Sequence, residues 1–151
     1  MTSQELYTPF RPVRARRVAL GVAVAQGVVL GVLALVVPAE GPVGFQWPDR
    51  LGVLLLAAAI AWWLSRYLRL VAVPAPGGLT VRNLFLSREL EWAEIVAVRF
   101  GAGMPWVELD LSDGETMAVM AVQRADGDHG QAEARRLSTL VALHSRTERD
   151  D

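Results

Sequence analysis

The sequence predicts a membrane-anchored α+β protein, in which an N-terminal hairpin of two transmembrane helices precedes an antiparallel sheet and a C-terminal helix. Three observations predict it. Val18 to Val37 is a run of twenty residues without a charge, and Leu51 to Leu64 is a second uncharged run. From Val71 onward, apolar residues recur at every second position over short segments, the pattern of half-buried strands. From Gln131 to His144 they return to helical spacing, the mark of an amphipathic helix.

At about 1.5 Å of rise per residue, the first run is long enough for a ~30 Å hydrocarbon layer. It exceeds the 7–15 apolar residues of a typical secretory signal core. Residues 1–17 are polar and carry Arg11, Arg14, Arg16 and Arg17. Pro12 interrupts any helix among them, so a flexible cytoplasmic tail is expected, and its arginines mark the side that stays inside. Residues 38–50 read as an extracytoplasmic loop, because Pro38, Gly41, Pro42, Gly44 and Pro48 stop helices and make turns. The second span is expected over residues 51–70. Trp62, Trp63 and Tyr67 supply its interfacial belt, Arg66 snorkels, and Arg69 lies beyond. Both basic flanks then fall on one side, which predicts a multi-pass protein of the bacterial inner membrane with both termini cytoplasmic.

Within the first span Ala19, Ala23, Gly27 and Gly31 share one helical face. Small residues let helices approach closely in lipid, here against Ala57 and Ala61 of the second span, or against another membrane protein or second copy.

Composition removes several classes of chemistry. The chain has no cysteine and two histidines, so disulfides, thiolate metal sites and cysteine nucleophiles are excluded. Every basic residue is arginine, which with the abundance of Ala, Val and Gly is associated with GC-rich bacterial genomes. Residues 1–70 hold seven arginines against Glu5, Glu40 and Asp49, whereas residues 71–151 hold eight against thirteen acids. An acidic module is a poor ligand for phosphate backbones, so no nucleic-acid partner is expected.

The polar half is expected to form one domain over residues 71–145, followed by a charged tail over 146–151. Five or six strands are expected, among them Leu79–Arg82, Glu89–Trp92, Ile95–Phe100, Trp106–Leu111 and Thr116–Ala121. Asp113-Gly114 signals a two-residue hairpin, and Gly101-Ala102-Gly103 a looser turn. In the helix Ala134, Leu137, Leu140, Val141 and His144 form the apolar stripe, with Glu133, Arg135 and Arg136 facing away.

The units GLTVRNLFLSRELEWAEIVAVRFG, WVELDLSDGETMAVMAV and EARRLSTLV together resemble bacterial pleckstrin-homology (PH)-like domains. The most telling piece is Leu90-Glu91-Trp92-Ala93-Glu94-Ile95-Val96-Ala97-Val98, a strand, a tight Trp-containing turn and another strand. With two spans ahead of it, the chain is similar to the small PH-domain membrane proteins of GC-rich bacteria. The resemblance implies a bent antiparallel sheet closed at one end by the C-terminal helix, with a first strand near Leu70–Val73 running almost directly out of the second span, and it transfers no functional residue.

No catalytic set is expected. Gly101-Ala102-Gly103 lacks the GK[ST] of a phosphate loop. Asp126-Gly127-Asp128-His129 lacks calcium-loop spacing, and Asp128 is read as capping the helix. Ser87, Ser112 and Ser138 have no nucleophile-elbow context, and the carboxylates Glu89, Glu91, Glu94, Glu108 and Asp110 alternate with apolar residues. Met104 and Trp106 are read as packing residues. The expectation is therefore a non-enzymatic accessory or scaffold element without a cofactor, partnered by the bilayer and by a membrane protein or a second copy. The alternative is a lipid- or small-ligand-sensing module, for which Arg82, Arg88 and Arg99 are the weak candidates.

Overall fold

The computed structural model describes residues 6–41 and 44–147. The chain divides into two compact units. Residues 15–68 make one, and the residues before Ala15 join those after Leu68 to make the other.

The first unit is a pair of apolar helices, α1 (Val13–Val36, begun in the other unit) and α2 (Trp47–Leu68). Both are long and apolar enough to cross a membrane. Val22, Val24, Val28, Val29, Val32, Leu54, Leu55 and Leu56 are exposed on their outer surfaces, an apolar area that water would penalise and lipid would not. Gln26 Nε2 donates to the Ala57 carbonyl at 3.2 Å, tying the helices together. The expected small-residue stripe faces inward, with Ala19 buried and Ala23, Gly27, Gly31, Ala57 and Ala61 half-buried. The two glycines are not at a tight backbone contact, because a Cβ added at either would meet nothing within 4 Å.

Helix α2 starts earlier than expected. Trp47 to Arg50 form its first turn, where Pro48 is tolerated because N–H groups there have no intrahelical partner. The loop arginine of the sequence reading, Arg50, is therefore helical. Its guanidinium donates to the carbonyls of Ala34 and Val37 (Nη2 to Val37 at 2.7 Å), satisfying the end of α1.

The second unit contains β1 (Val71–Ala75), β2 (Gly78–Arg82), β3 (Ser87–Glu91), β4 (Ile95–Arg99), β5 (Trp106–Leu111), β6 (Thr116–Gln123) and α3 (Asp128–Thr147). The strands form two antiparallel three-stranded sheets, β1-β2-β3 and β4-β5-β6. Leu79, Val81 and Leu90 of the first sheet pack with Ile95, Val107, Leu109, Leu111, Met117 and Val119 of the second. Helix α3 contributes Ala134, Leu137, Leu140 and Val141 to the same core. A 3₁₀ turn, Trp92–Glu94, joins the sheets. Its Trp92 is buried, donates from Nε1 to the Ala75 carbonyl at 2.9 Å and stacks on His144 with ring centroids 4.8 Å apart. The β5–β6 connection is wider than two residues, with Leu111 N–H donating to the Glu115 carbonyl and Gly114 at φ +85°.

The flexible tail expected over residues 1–17 is not what is found in its described part. Phe10 is fully buried, and its N–H and carbonyl pair with the carbonyl and N–H of Ala72 at 2.8 and 3.1 Å. Leu6 and Tyr7 pack against the same core, and Tyr7 Oη is 2.8 Å from His144 Nε2. Arg136, expected to face away, lies 3.9 Å over the Phe10 ring, donates to the Thr8 carbonyl and pairs with Glu133 at 2.7 Å. Helix α1 begins directly after Pro12, not at residue 18. The domain expected over 71–145 is thus completed by a segment that precedes the first apolar helix. Residues 1–5 and 148–151, parts of the two expected tails, lie outside the described residues, as do residues 42 and 43 of the connecting loop.

Candidate functional site

Arg82, Arg88 and Arg99 sit at three different places. In the β2–β3 register Val81 faces Arg88 and Arg82 faces Ser87. Paired residues share a face and neighbours alternate, so Arg88 lies on the inner face with Val81 and Arg82 on the opposite one. Arg99 belongs to the other sheet, opposite Glu108. No shared basic cradle results.

Two of the three are already paired. Arg88 bridges the two sheets, donating to Glu115 at 2.7 Å and Asp113 at 3.3 Å. Those bonds, Glu115 first, raise the pKa of Arg88 further. The Asp113 carboxyl is held below the usual aspartate range, first by the Glu115 N–H at 2.9 Å and then by Arg88. Arg99 lies 2.7 Å from Asp110 and 3.4 Å from Glu108. Arg82 is exposed and forms no ion pair among the described residues.

A groove of about 580 Å³ opens beside the β1–β2 turn, lined by Gly77, Gly78, Thr80, Glu89, Glu91 and Glu94. Its three carboxylates disfavour an anionic ligand. Glu94 is also engaged in structure, accepting from the Glu91 N–H at 2.7 Å. Gly78 permits the closeness of β2 and β3 here, since a Cβ would fall 2.2 Å from the Leu90 carbonyl oxygen. A second groove, about 540 Å³, lies between Val98 and Phe100 and the α3 residues Ala134, Arg135 and Ser138.

The loop Asp126–His129 has a structural task. Asp126 is buried, and its carboxylate accepts from the N–H groups of Val13 (3.0 Å) and Arg14 (2.7 Å). It caps α1 across 113 residues of chain, while Asp128, read as the cap of α3, is that helix's first residue. No group of three or more His, Asp or Glu able to hold a metal occurs among the described residues. Arg124 holds the β4–β5 turn by donating to the carbonyls of Gly101 and Met104, the latter at 2.9 Å. Trp106 opens β5, half-buried.

Of the residues assigned to the membrane interface, Arg14, Arg17, Trp62, Trp63 and Arg69 are exposed, and Arg16, Arg66 and Tyr67 are half-buried. Arg66 stacks 5.7 Å over Trp62. The sequence reading missed Phe10, Asp126 and Arg50. Phe10 had a signal, a large apolar residue in an otherwise polar segment. The two caps act between distant segments and leave no periodicity to read.

Comparison with known proteins places these features. Residues 69–139 match the Bacterial PH domain family. An uncharacterized protein of Mycobacterium tuberculosis is 36% identical over 137 residues, covering 88% of this chain and 84% of the relative, and one of Mycobacterium bovis matches equally. Low molecular weight protein antigen 6 of M. tuberculosis is 31% identical over 97 residues, 64% of this chain and 79% of that protein. No solved structure matches the chain. With its six strands in two antiparallel sheets, its C-terminal helix and its two apolar N-terminal helices, the chain belongs to the bacterial PH-domain family.

Proposed function

We propose that this chain is an integral protein of the bacterial inner membrane whose PH-like domain, held on the cytoplasmic face, is a non-catalytic interaction element of a membrane assembly. The observation that carries the topology is the Phe10–Ala72 pairing. One folded body contains residues from before α1 and after α2, so a chain that crosses the bilayer in both helices must begin and resume on the same side. Arg14, Arg16, Arg17, Arg66 and Arg69 flank those helix ends, and basic flanks are retained in the cytoplasm.

The interaction role draws on the state of the basic residues. A headgroup- or metabolite-sensing site needs convergent free cations, whereas Arg88 and Arg99 are spent on carboxylates and the larger groove is acidic. The small-residue face of α1 is turned toward α2, so a membrane-protein partner or a second copy would meet the exposed apolar faces that carry Val24, Val28, Val29 and Leu55.

Native mass spectrometry of the gently solubilised full chain tests this reading. A defined complex with another membrane protein, or a dimer, is expected. A bare monomer that saturates with one anionic lipid or metabolite would reverse it in favour of ligand sensing.

A further inference from the structure

We propose that the β2–β3 turn, Asn83 to Leu86, is a third attachment to the bilayer, with the side chains of Phe85 and Leu86 seated among the lipids of the cytoplasmic leaflet. The inference rests on reading α1 and α2 as membrane spans.

Its first support is the chemistry of the turn. Reversals of chain direction are normally built from Gly, Asn, Asp, Ser and Pro, yet this one reads Asn-Leu-Phe-Leu. Phe85 is 77% exposed and Leu86 56%. Nor is the turn loosely held. Asn83 N–H donates to the Leu86 carbonyl at 2.8 Å, and the Asn83 side chain clasps β6, donating to the Ala118 carbonyl at 2.7 Å and accepting from Met120 N–H at 3.1 Å. Leu84 is buried beneath. A firmly anchored turn thus presents two large apolar side chains outward, a costly arrangement in water and a favourable one in lipid.

Its second support is position within the domain. Val71, the first residue of β1, comes three residues after the end of α2 and pairs with Arg82, which pairs with Ser87. Strands lie about 4.8 Å apart, so the turn starts within roughly 10 Å of the strand end that receives the chain from α2. Phe10 pairs with Ala72 at this same end, where the chain departs toward α1. The apolar tip is therefore at the edge of the domain nearest both points of covalent attachment to the spans.

Charge agrees with this. Arg11, Arg14, Arg69 and Arg82 are exposed on the segments that meet there, and an apolar tip with a basic surround suits an anionic leaflet.

The chain contains no cysteine, so single cysteines can carry an environment-sensitive nitrobenzoxadiazole label. The full chain is labelled at Leu86→Cys, at Phe85→Cys, at Pro76→Cys in the opposite β1–β2 turn, or at Val28→Cys within α1. Each is reconstituted in nanodiscs of phosphatidylcholine with a minor share of phosphatidylglycerol. A shallow nitroxide-bearing lipid should quench the labels at 85 and 86 several-fold and leave the label at 76 unchanged. Labels at 85 and 86 that behave like the one at 76, with Val28 quenched by a deep nitroxide, would overturn this inference alone. An unquenched Val28 label would overturn the spanning reading together with it.

Discussion

Replacing Phe10 by alanine removes a fully buried ring from the domain core while preserving the backbone pairing with Ala72. Large-to-small changes of this kind cost about 3–5 kcal/mol when the cavity cannot collapse. The cation–ring contact with Arg136 at 3.9 Å is lost as well. Because the segment before α1 can peel away instead of enclosing a void, the lower part of that range applies, about 3 kcal/mol. In a domain of under a hundred residues this lowers the midpoint of thermal unfolding by about 12–24 °C. The assay is a thermal melt of the full chain in detergent micelles, followed by near-ultraviolet circular dichroism, which reports the packed environment of Trp92. The neighbouring exposed Arg11→Ala is the control, expected within about 0.5 kcal/mol of the parent. A Phe10→Ala melt that coincides with the Arg11→Ala melt would refute the claim that this segment is part of the domain.

Other perturbations follow from the same contacts. Asp126→Ala strips two N–H groups at the start of α1 of their acceptor and should cost about 1–2 kcal/mol, with amide exchange at Val13 and Arg14 rising about 5- to 30-fold. Gly78→Ala drives a methyl group against the Leu90 carbonyl, so it should destabilise by about 1–3 kcal/mol in chemical denaturation, against near neutrality for Gly77→Ala, where space is open. The Asp113 carboxyl should titrate below the ordinary aspartate range when followed by carboxyl carbon shifts. Since its folded pKa is lowered, its contribution to stability is complete above the unfolded pKa and disappears as the pH falls through the folded one. Arg88→Ala should move that titration part of the way back upward, the Glu115 N–H retaining the rest.

The parts of this molecule visible in the sequence are those whose signal is local. Uncharged runs mark α1 and α2, and alternation such as Val107, Leu109, Leu111 against Glu108 and Asp110 marks β5, because each follows from one element having an inside and an outside. Five of the six strands and the closing helix were legible on that basis, whereas β1 was expected only from the family resemblance. The role of Phe10 was not, because a single bridged residue has no period, and its partner Ala72 is 62 positions away with two apolar helices between them. The same holds for Asp126, whose Asp-Gly-Asp-His surroundings suggest local capping of α3, although its carboxylate serves α1 instead. Arg50 lay in a stretch rich in proline and glycine that reads as loop, while the last carbonyls of α1 required a donor. For the site, sequence identified Arg82, Arg88 and Arg99 as the cations near the strands, but only register shows that they face apart and that two of them are neutralised.

The central claim is that one domain is assembled from both sides of a membrane-crossing hairpin. Side-specific labelling of single cysteines in sealed inner-membrane vesicles of known orientation tests it most directly, with Thr8→Cys before the hairpin, Glu40→Cys between its helices and Ser112→Cys in the β5–β6 turn. An impermeant maleimide should reach Thr8→Cys and Ser112→Cys from the cytoplasmic side alone and Glu40→Cys from the opposite side alone. Labelling of Thr8→Cys and Ser112→Cys from opposite sides would contradict the claim.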